Sequence, residues 1–209
     1  MYHLRHRPQA VQLILASSSP YRAELLARLR LPFVAKAPEI DETPFHREHP
    51  EELVSRLARS KTKALADQYP NALIVGADQV AALKRRVLGK PENLQAARRQ
   101  LHQISGQQVD FTTGLCLLNT NTARSQEQHV SFSVFFRPLT DTMIERYLET
   151  ESPLGCAGSF RSEGLGIALV ERMQGDDPSA LIGLPLISLL AMLEAEGVSP
   201  FPKDALRRD

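Results

Sequence analysis

Residues 13–22 read Leu-Ile-Leu-Ala-Ser-Ser-Ser-Pro-Tyr-Arg, so a short apolar run leads directly into a serine–proline pair. The run Gln12–Ala16 predicts a buried strand. Ser19 followed by Pro20 is typical of an N-cap and the first residue of a helix. Leucines at helical spacing follow, so we expect a helix over 21–29. A strand that turns at once into a helix is a building unit of an α/β fold.

The rest of the chain repeats these two patterns. Helical periodicity predicts helices over 50–69, 93–104, 140–151 and 186–196, and β patterns predict strands over 33–36, 72–76, 109–118 and 128–136. We expect a hairpin over 80–87, and we expect residues 164–170 to enter a late strand. This mixture of βα units and hairpins indicates an α/β fold with a mixed sheet. The predicted domain covers 12–200, between an N-terminal extension over 1–11 and a polar tail over 201–209.

The composition is that of a globular chain. Of 209 residues, 43% are hydrophobic and 23% are charged, and the formal net charge is +1. A charge so close to zero attracts neither nucleic acid nor a membrane surface over long range, so we expect no partner of either kind. The apolar run that begins at Val11 is too short for a signal peptide or a membrane span. Two cysteines and no export signal favour reduced thiols and a cytoplasmic location.

The turn between the first strand and helix is suited to phosphate. A helix N-terminus carries unpaired N–H groups and a partial positive charge, so it attracts anions. Ser17 adds a hydroxyl there, and Arg22 adds a guanidinium whose fork matches phosphate oxygens. A plain capped helix with a surface arginine would contain the same residues. Lys61 and Lys90, the latter in a Gly-Lys-Pro turn, are further candidates, although isolated lysines are usually only solvated.

Two carboxylates are candidates for metal binding or proton transfer. Glu42 belongs to the acidic loop that begins at Glu39, and Asp78 follows the strand over 72–76. Carboxylate oxygens suit Mg²⁺, and a carboxylate beyond the end of a strand can hold a metal or accept a proton from water. The alternatives are a solvated loop for Glu42 and an ordinary turn for Asp78.

A loop of small residues over 156–164 contains Glu163. Its Cys-Ala-Gly-Ser start permits a ligand to approach the backbone closely, and Glu163 has the acceptors to bind a base edge. A tight loop between two elements is the alternative. The chain has no Walker-type phosphate loop, no CxxC zinc spacing and no HExxH motif, so those classes of site are not indicated.

Taken in order, these segments resemble the Maf family of nucleotide pyrophosphatases. The ordered set comprises the run at 13–22, Gly-Ala-Asp-Gln-Val at 76–80, Gly-Lys-Pro at 89–91, Ser-Gly at 105–106, Thr-Gly at 113–114, Ala-Gly at 157–158 and Ile-Gly-Leu-Pro-Leu at 182–186. The resemblance covers about 13–198, which is nearly the whole chain.

The resemblance implies a Maf/ITPase-like fold, an elongated α/β domain with a mixed sheet flanked by helices and two lobes around a central cleft. It implies hydrolysis of a nucleoside triphosphate between its α and β phosphates, with a divalent metal cation as cofactor. Asp78 matches the general base of the family and Glu42 its second acidic position, and we expect the metal at these two residues. The phosphate-binding positions of the family match Ser17, Arg22, Lys61 and Lys90.

Three positions separate the branches of the family. The 7-methyl-GTP pyrophosphatase branch has an aromatic residue, Gln and Glu, which Tyr21, Gln79 and Glu163 match, whereas the dTTP/UTP-cleaving branch has Arg, Thr and Gln. The first branch can carry tryptophan where Tyr21 stands, and tyrosine gives a weaker cation–π face. N7-methylation makes guanine cationic, so an aromatic face and a carboxylate both suit such a base.

Two other functions remain open from the sequence. One is the same reaction on dTTP and UTP, against which the residues at 21, 79 and 163 argue. The other is a nucleotide-binding regulator of cell division without significant turnover, which would need the phosphate site but no general base. The sequence also leaves open a homodimer, the preferred metal and the physiological nucleotide.

Overall fold

The computed structural model describes residues 11–201 and arranges them around a mixed sheet. The strands are β1 (Gln12–Ala16), β2 (Phe33–Lys36), β3 (Ala72–Leu83), β4 (Arg86–Leu88), β5 (Gln108–Asn119), β6 (Arg124–Phe136) and β7 (Val170–Gln174). The helices are α1 (Pro20–Ala27), α2 (Pro50–Ala66), α3 (Leu94–Ile104), α4 (Asp141–Thr150) and α5 (Leu186–Ala195). Short 3₁₀ turns connect the later elements.

The sheet is parallel on one side and antiparallel on the other. Over the described residues its strand order is β2-β1-β3-β5-β6-β7, and β4 pairs with the far end of β3. β1 runs parallel to β2 and β3, whereas the pairings from β3 through β5 and β6 to β7 are antiparallel. The long strands β3 and β5 therefore join a parallel, helix-connected half to an antiparallel half.

Separate apolar clusters form the cores of two lobes. One cluster packs α1 and α5 against β1, β3 and β5, and it includes Leu25, Leu26 and Leu189. Another packs α3 and α4 against β5 and β6 around Phe136 and Tyr147. The predicted fold class, an α/β domain with a mixed sheet flanked by helices and two lobes, is confirmed.

Helix α2 lies very close to the sheet because glycines face it. A Cβ at Gly114 would lie 2.3 Å from the carbonyl oxygen of Val54, and a Cβ at Gly76 would clash with α2 in the same way. Gly114 pairs with Asp78 across β5 and β3. This close approach brings Lys61, which α2 carries, within reach of Asp78.

The structure corrects the predicted end of the third strand. β3 does not end before Asp78 but continues to Leu83, because its second half pairs with β4 and β5 after the pairing with β1 has ended. Asp78 is therefore a strand residue rather than a residue of the turn after a strand. Its backbone is held by the pairing with Gly114 of β5.

Other expectations were wrong in detail or lie outside the described residues. Residues 164–170 do not enter a strand directly, since backbone hydrogen bonds close a 3₁₀ turn over Leu165–Leu169 before β7 begins. Helices α1 and α2 end at Ala27 and Ala66, earlier than predicted. The extension and the tail fall almost wholly outside 11–201. Among the helices described, none combines the length and the apolar character that a membrane span requires.

Candidate active site

One cleft collects every side chain that the sequence indicated as a site residue. It has a volume of about 630 Å³, and its walls come from both lobes. Its lining includes all nine predicted residues, which are Ser17, Tyr21, Arg22, Glu42, Lys61, Asp78, Gln79, Lys90 and Glu163. The fold thus brings together positions that are far apart in the chain, while the role of each residue stays a prediction.

The first turn of α1 supplies one wall. Ser19 caps the helix, and its hydroxyl accepts the backbone N–H of Arg22 at 3.4 Å. The hydroxyl oxygen of buried Ser17 accepts the N–H of Ser19 at 3.1 Å and Nη1 of Arg22 at 3.5 Å. Nε of Arg22 donates to the carbonyl oxygen of Gly183 at 2.8 Å. Because a guanidinium has five N–H donors, Arg22 is fixed in place and still has donors for an anion.

The ammonium of Lys61 joins the two predicted carboxylates. Lys61 is only 4% exposed, and its Nζ lies 2.6 Å from Oδ1 of Asp78 and 2.8 Å from Oε1 of Glu42. An unpaired ammonium at this depth would be costly, so the carboxylates make the buried lysine possible. An ammonium has three N–H donors, which leaves one for a phosphate oxygen. Oδ2 of Asp78 accepts no hydrogen bond from residues 11–201.

The chemistry of its neighbours fixes the orientation of the Gln79 amide. Nε2 lies 2.7 Å from the carbonyl oxygen of Ala180, 3.0 Å from that of Leu181 and 3.1 Å from Oγ1 of Thr113. The carbonyls only accept hydrogen bonds, and the Thr113 hydroxyl gives its own proton to Ala180 at 2.8 Å. The amide nitrogen must therefore face this side. The atom that Gln79 leaves for a ligand is its carbonyl oxygen, Oε1.

The predicted acidic loop, residues 39–49, is anchored by Arg56 of α2. The guanidinium binds both carboxylate oxygens of Glu48, with Nε at 2.6 Å and Nη2 at 2.8 Å, and it donates to the carbonyl oxygen of Thr43 at 3.1 Å. The hydrogen bond from Arg56 lowers the pKa of Glu48. The anchored loop presents Glu42 to the cleft.

The opposite wall is a loop whose backbone is held by hydrogen bonds. Gly158 and Ser159 both have positive φ, at 66° and 57°, a conformation that is costly for serine. The hydroxyl of Tyr147 donates to the carbonyl oxygen of buried Ser159 at 3.1 Å, and burial raises the pKa of Tyr147, so this donor keeps its proton. The N–H of Gly158 donates to Gly89 at 3.3 Å. These bonds join the loop to α4 and to the turn that carries Lys90.

Arg161 has a place in the cleft region that the sequence did not indicate. Its Nη1 donates to Oε2 of Glu151 at 2.8 Å, and its Nε lies 3.8 Å from Oε1 of Glu163. Its Cζ lies 5.7 Å from the centre of the Tyr21 ring. No local pattern relates these residues, because Tyr21 lies in the first turn of α1 and Glu151 follows the last residue of α4. Only the tertiary fold brings them together.

The charges of the cleft favour an anionic ligand. Burial lowers the pKa of Arg22, an effect that the charges of Asp78 and Glu42 oppose. Burial alone would raise the pKa of Glu42, but the hydrogen bond and charge of Lys61, with the charges of Lys90 and Arg22, lower it below the ordinary value. Apart from Glu163, which lies beside Arg161, the lining has three basic side chains and two carboxylates, so this part of the cleft keeps a positive balance for a chain of phosphates.

The two carboxylates also fit a hard divalent cation. Within residues 11–201, no group of three or more His, Cys, Asp or Glu side chains forms a complete metal site. Mg²⁺ is usually bound by one or two carboxylates together with waters and substrate phosphates, rather than by a cage of protein ligands. Asp78 and Glu42 offer such a partial set of oxygen ligands, so they suit a metal that arrives with a triphosphate.

Comparison with known proteins shows the family. The model of the Maf-like protein family matches residues 12–196 of this chain. The chain belongs to the Maf family. The match spans the cleft and both lobes, so every residue described above lies within the Maf domain.

Three relatives of this Maf domain carry the same name. A protein of Nitrosococcus oceani named 7-methyl-GTP pyrophosphatase is 56% identical over 190 residues, which cover 91% of this chain and 96% of that protein. Proteins with the same name from Alcanivorax borkumensis and Vibrio cholerae are 55% and 50% identical, and each match covers 91% of this chain and 96% or 98% of the relative. A solved structure of a HAM1 protein from Coxiella burnetii is similar with a TM-score of 0.44 and 14% identity, covering 60% of this chain and 73% of that one.

Proposed function

We propose that this Maf-family chain hydrolyses 7-methyl-GTP to 7-methyl-GMP and pyrophosphate. The observation that carries the proposal is that Tyr21 and Glu163 line the same cleft as the Lys61–Asp78 pair. That cleft offers basic groups to a triphosphate, and an aromatic ring and a carboxylate to a base. Relatives that are 50–56% identical over most of the chain carry the name of this activity, which supports the proposal.

The triphosphate binds to the basic groups of the cleft. Arg22 presents its remaining N–H groups beside the N-terminus of α1, whose partial positive charge attracts phosphate. Lys61 offers its third N–H, and exposed Lys90 reaches the cleft from the turn after β4. Each of these groups is a donor with a positive charge or a backbone dipole, so together they neutralise the triphosphate.

Asp78 acts as the general base through Oδ2, because Lys61 occupies Oδ1. A water molecule gives one proton to Oδ2 as its oxygen forms a bond to the α-phosphorus. The bond from the α-phosphorus to the bridging α–β oxygen breaks, and its electron pair leaves with pyrophosphate. Arg22, Lys61 and Lys90 stabilise the charge that develops on the leaving group.

We propose that Glu42 would hold a divalent cation together with oxygens of the substrate, because Lys61 and the proposed role as base already occupy both oxygens of Asp78. Such a cation supplies Lewis-acid stabilisation of negative charge on the phosphates. The anchoring of the acidic loop by Arg56 keeps Glu42 available for this purpose. Loss of turnover in EDTA, and its recovery with Mg²⁺ or Mn²⁺, is the expected result, whereas full activity in EDTA would contradict it.

The base is recognised by groups that suit a cation rich in hydrogen-bond donors. Stacking of a cationic ring on Tyr21 is worth roughly 0.5–2 kcal/mol. The N1–H and the amino group of 7-methylguanine donate to the carboxylate of Glu163, and Oε1 of Gln79 offers a further acceptor. A uracil or thymine edge presents carbonyls to the same acceptors, so a pocket of acceptors disfavours it.

Replacement of the base and isotope labelling test the reaction together. Asp78→Asn should lower kcat by a factor of about 10²–10⁴. The matched control is Asp110→Asn, since Asp110 accepts a hydrogen bond from Ser133 and does not line the cleft, and it should retain activity. Hydrolysis in ¹⁸O-water should place the label in 7-methyl-GMP. Label in pyrophosphate would contradict attack at the α-phosphorus, and an active Asp78→Asn variant would place the base elsewhere.

We also propose that the enzyme works in the cytoplasm. Cys116 and Cys156 are both free thiols, and unpaired cysteines are typical of reducing compartments. Burial raises the pKa of both thiols, so neither has the thiolate character of a nucleophile. Cell fractionation should recover the activity with cytoplasmic marker enzymes, and its recovery from an exported fraction would contradict this location.

A further inference from the structure

Arg161 creates an electrostatic problem for the proposed substrate. Its guanidinium lies 5.7 Å from the centre of the Tyr21 ring, so a base that stacks on this ring comes within a few ångströms of a positive charge. A neutral base would tolerate this position, but a cationic base would be repelled. If the pocket accepts 7-methylguanine, another group must cancel the charge of Arg161.

Glu151 is held in the geometry that cancels this charge. Its side chain is 12% exposed, and Oε2 accepts Nη1 of Arg161 at 2.8 Å. Its second oxygen, Oε1, accepts the backbone N–H of Leu165 at 2.7 Å. Gly164 leaves room for the carboxylate, because a Cβ there would lie 2.2 Å from Oε1. Both carboxylate oxygens are therefore occupied, and Glu151 faces Arg161 rather than the ligand.

Glu163 is not hydrogen-bonded to the same arginine. Its Oε1 lies 3.8 Å from Nε of Arg161, beyond hydrogen-bond distance, and the buried Nε–H has no partner among residues 11–201. Oε2 of Glu163 accepts the hydroxyl of Ser162 at 3.1 Å. Because Arg161 is committed to Glu151, the negative charge of Glu163 remains available to a ligand.

We propose that Glu151 is a specificity-determining residue, which selects a cationic base by neutralising Arg161 and leaving the base end of the cleft with a net charge of −1. The inference rests on the proposed function and deepens it. Glu151 acts through Arg161 and does not contact the base. It is therefore a positioning residue, which sets the charge of the base site rather than its shape. Sequence motifs gave no sign of it, because Glu151 lies outside the loop that carries Glu163.

Charge-matched variants separate this effect from a structural one. Glu151→Gln keeps an acceptor for Leu165 but removes the charge and the acceptor for Arg161, so the ratio of kcat/KM for 7-methyl-GTP to that for GTP should fall about tenfold. The change should appear in KM more than in kcat, because the base is remote from the α-phosphorus. The double variant Glu151→Gln with Arg161→Gln restores the net charge and should restore the ratio. A structural role would make the double variant worse than the single one.

Further variants and the wild-type protein distinguish failure of this inference from failure of the proposed function. Arg161→Gln alone leaves both carboxylates and should keep or raise the ratio, and it tests the idea even where Glu151→Gln folds poorly. The control Glu145→Gln removes a carboxylate paired with Arg98 on the surface of α4 and should leave the ratio unchanged. An unchanged ratio in Glu151→Gln, no recovery in the double variant, or a lower ratio in Arg161→Gln would overturn the inference. Absence of any 7-methyl-GTP turnover in the wild type would instead overturn the proposed function.

Discussion

The charged residues of the cleft obey one rule: a charge that leaves water needs a partner. Lys61 has Asp78 and Glu42, and Arg161 has Glu151. In the Lys61–Asp78 pair, the contact occupies one atom of the carboxylate and leaves another facing the cleft. The interactions that permit burial therefore also orient the groups that we assign to catalysis.

The role of Glu163 is tested by an isosteric change. Glu163→Gln keeps the shape of the side chain but replaces one acceptor oxygen with a donor and removes the charge. The ratio of kcat/KM for 7-methyl-GTP to that for UTP should fall by about tenfold or more, as expected for loss of a hydrogen bond to a charged group. Glu149→Gln, on the exposed face of α4, is the control. A ratio that stays at the wild-type value would remove Glu163 from base recognition.

Residue chemistry explains what the sequence could and could not predict about the site. Side chains such as Arg22 beside a helix N-terminus are informative locally, because their type and position together suit phosphate. Glu151 and Arg161 are of types that are common on any surface. Their significance depends on a contact between α4, α1 and the loop after residue 156, which no spacing in the sequence encodes.

Helix α2 and strands β3 and β5 together position the side chains that we assign to catalysis. α2 carries Lys61, β3 carries Asp78, and Gly114 on β5 lets the helix approach to contact distance. A side chain at position 114 would push α2 away from the sheet. The distance between Lys61 and Asp78 thus depends on a residue that touches neither of them.

Gly114→Ala tests this dependence. Its Cβ would meet the backbone of Val54 at 2.3 Å, so α2 must move. We expect a loss of about 1–3 kcal/mol in the free energy of unfolding and a lower kcat, measured by thermal denaturation and steady-state kinetics. Gly155→Ala is the control for stability, since its Cβ meets nothing within 4 Å, and it should leave the Tm unchanged. A Gly114→Ala protein as stable as the wild type would show that the close packing is not required.

Elements were predictable where a local signal marks them. Ser19 caps α1 as the sequence indicated, and its side chain accepts the backbone N–H of Arg22. The helices predicted from residues 93 and 140 begin there, where the side chains of Asn93 and Thr140 cap α3 and α4. The end of β3 was missed because Gly76 resembles a break in a strand. The strand continues through it only because β5 pairs alongside, and pairing partners are not visible in a local window.

On the scale of the molecule, the cleft joins two lobes that use different packing. The lobe with α1 and α5 supplies the helix N-terminus and Tyr21, and the lobe with α3 and α4 supplies the loop with Glu163. Phosphates and base are therefore bound by groups from different parts of the fold. The order of motifs along the chain predicted this meeting through the family resemblance, whereas periodicity alone predicted only a mixed sheet.

The central claim is that this cleft releases pyrophosphate from 7-methyl-GTP in preference to unmodified nucleotides. The most direct test is pyrophosphate release by the wild-type protein with Mg²⁺ or Mn²⁺, measured for 7-methyl-GTP, GTP, dTTP, UTP and CTP. We predict the highest kcat/KM for 7-methyl-GTP. A preference for dTTP or UTP would contradict the roles of Tyr21 and Glu163. No pyrophosphate release from any of the five nucleotides would contradict the proposed enzymatic activity and favour a nucleotide-binding regulator.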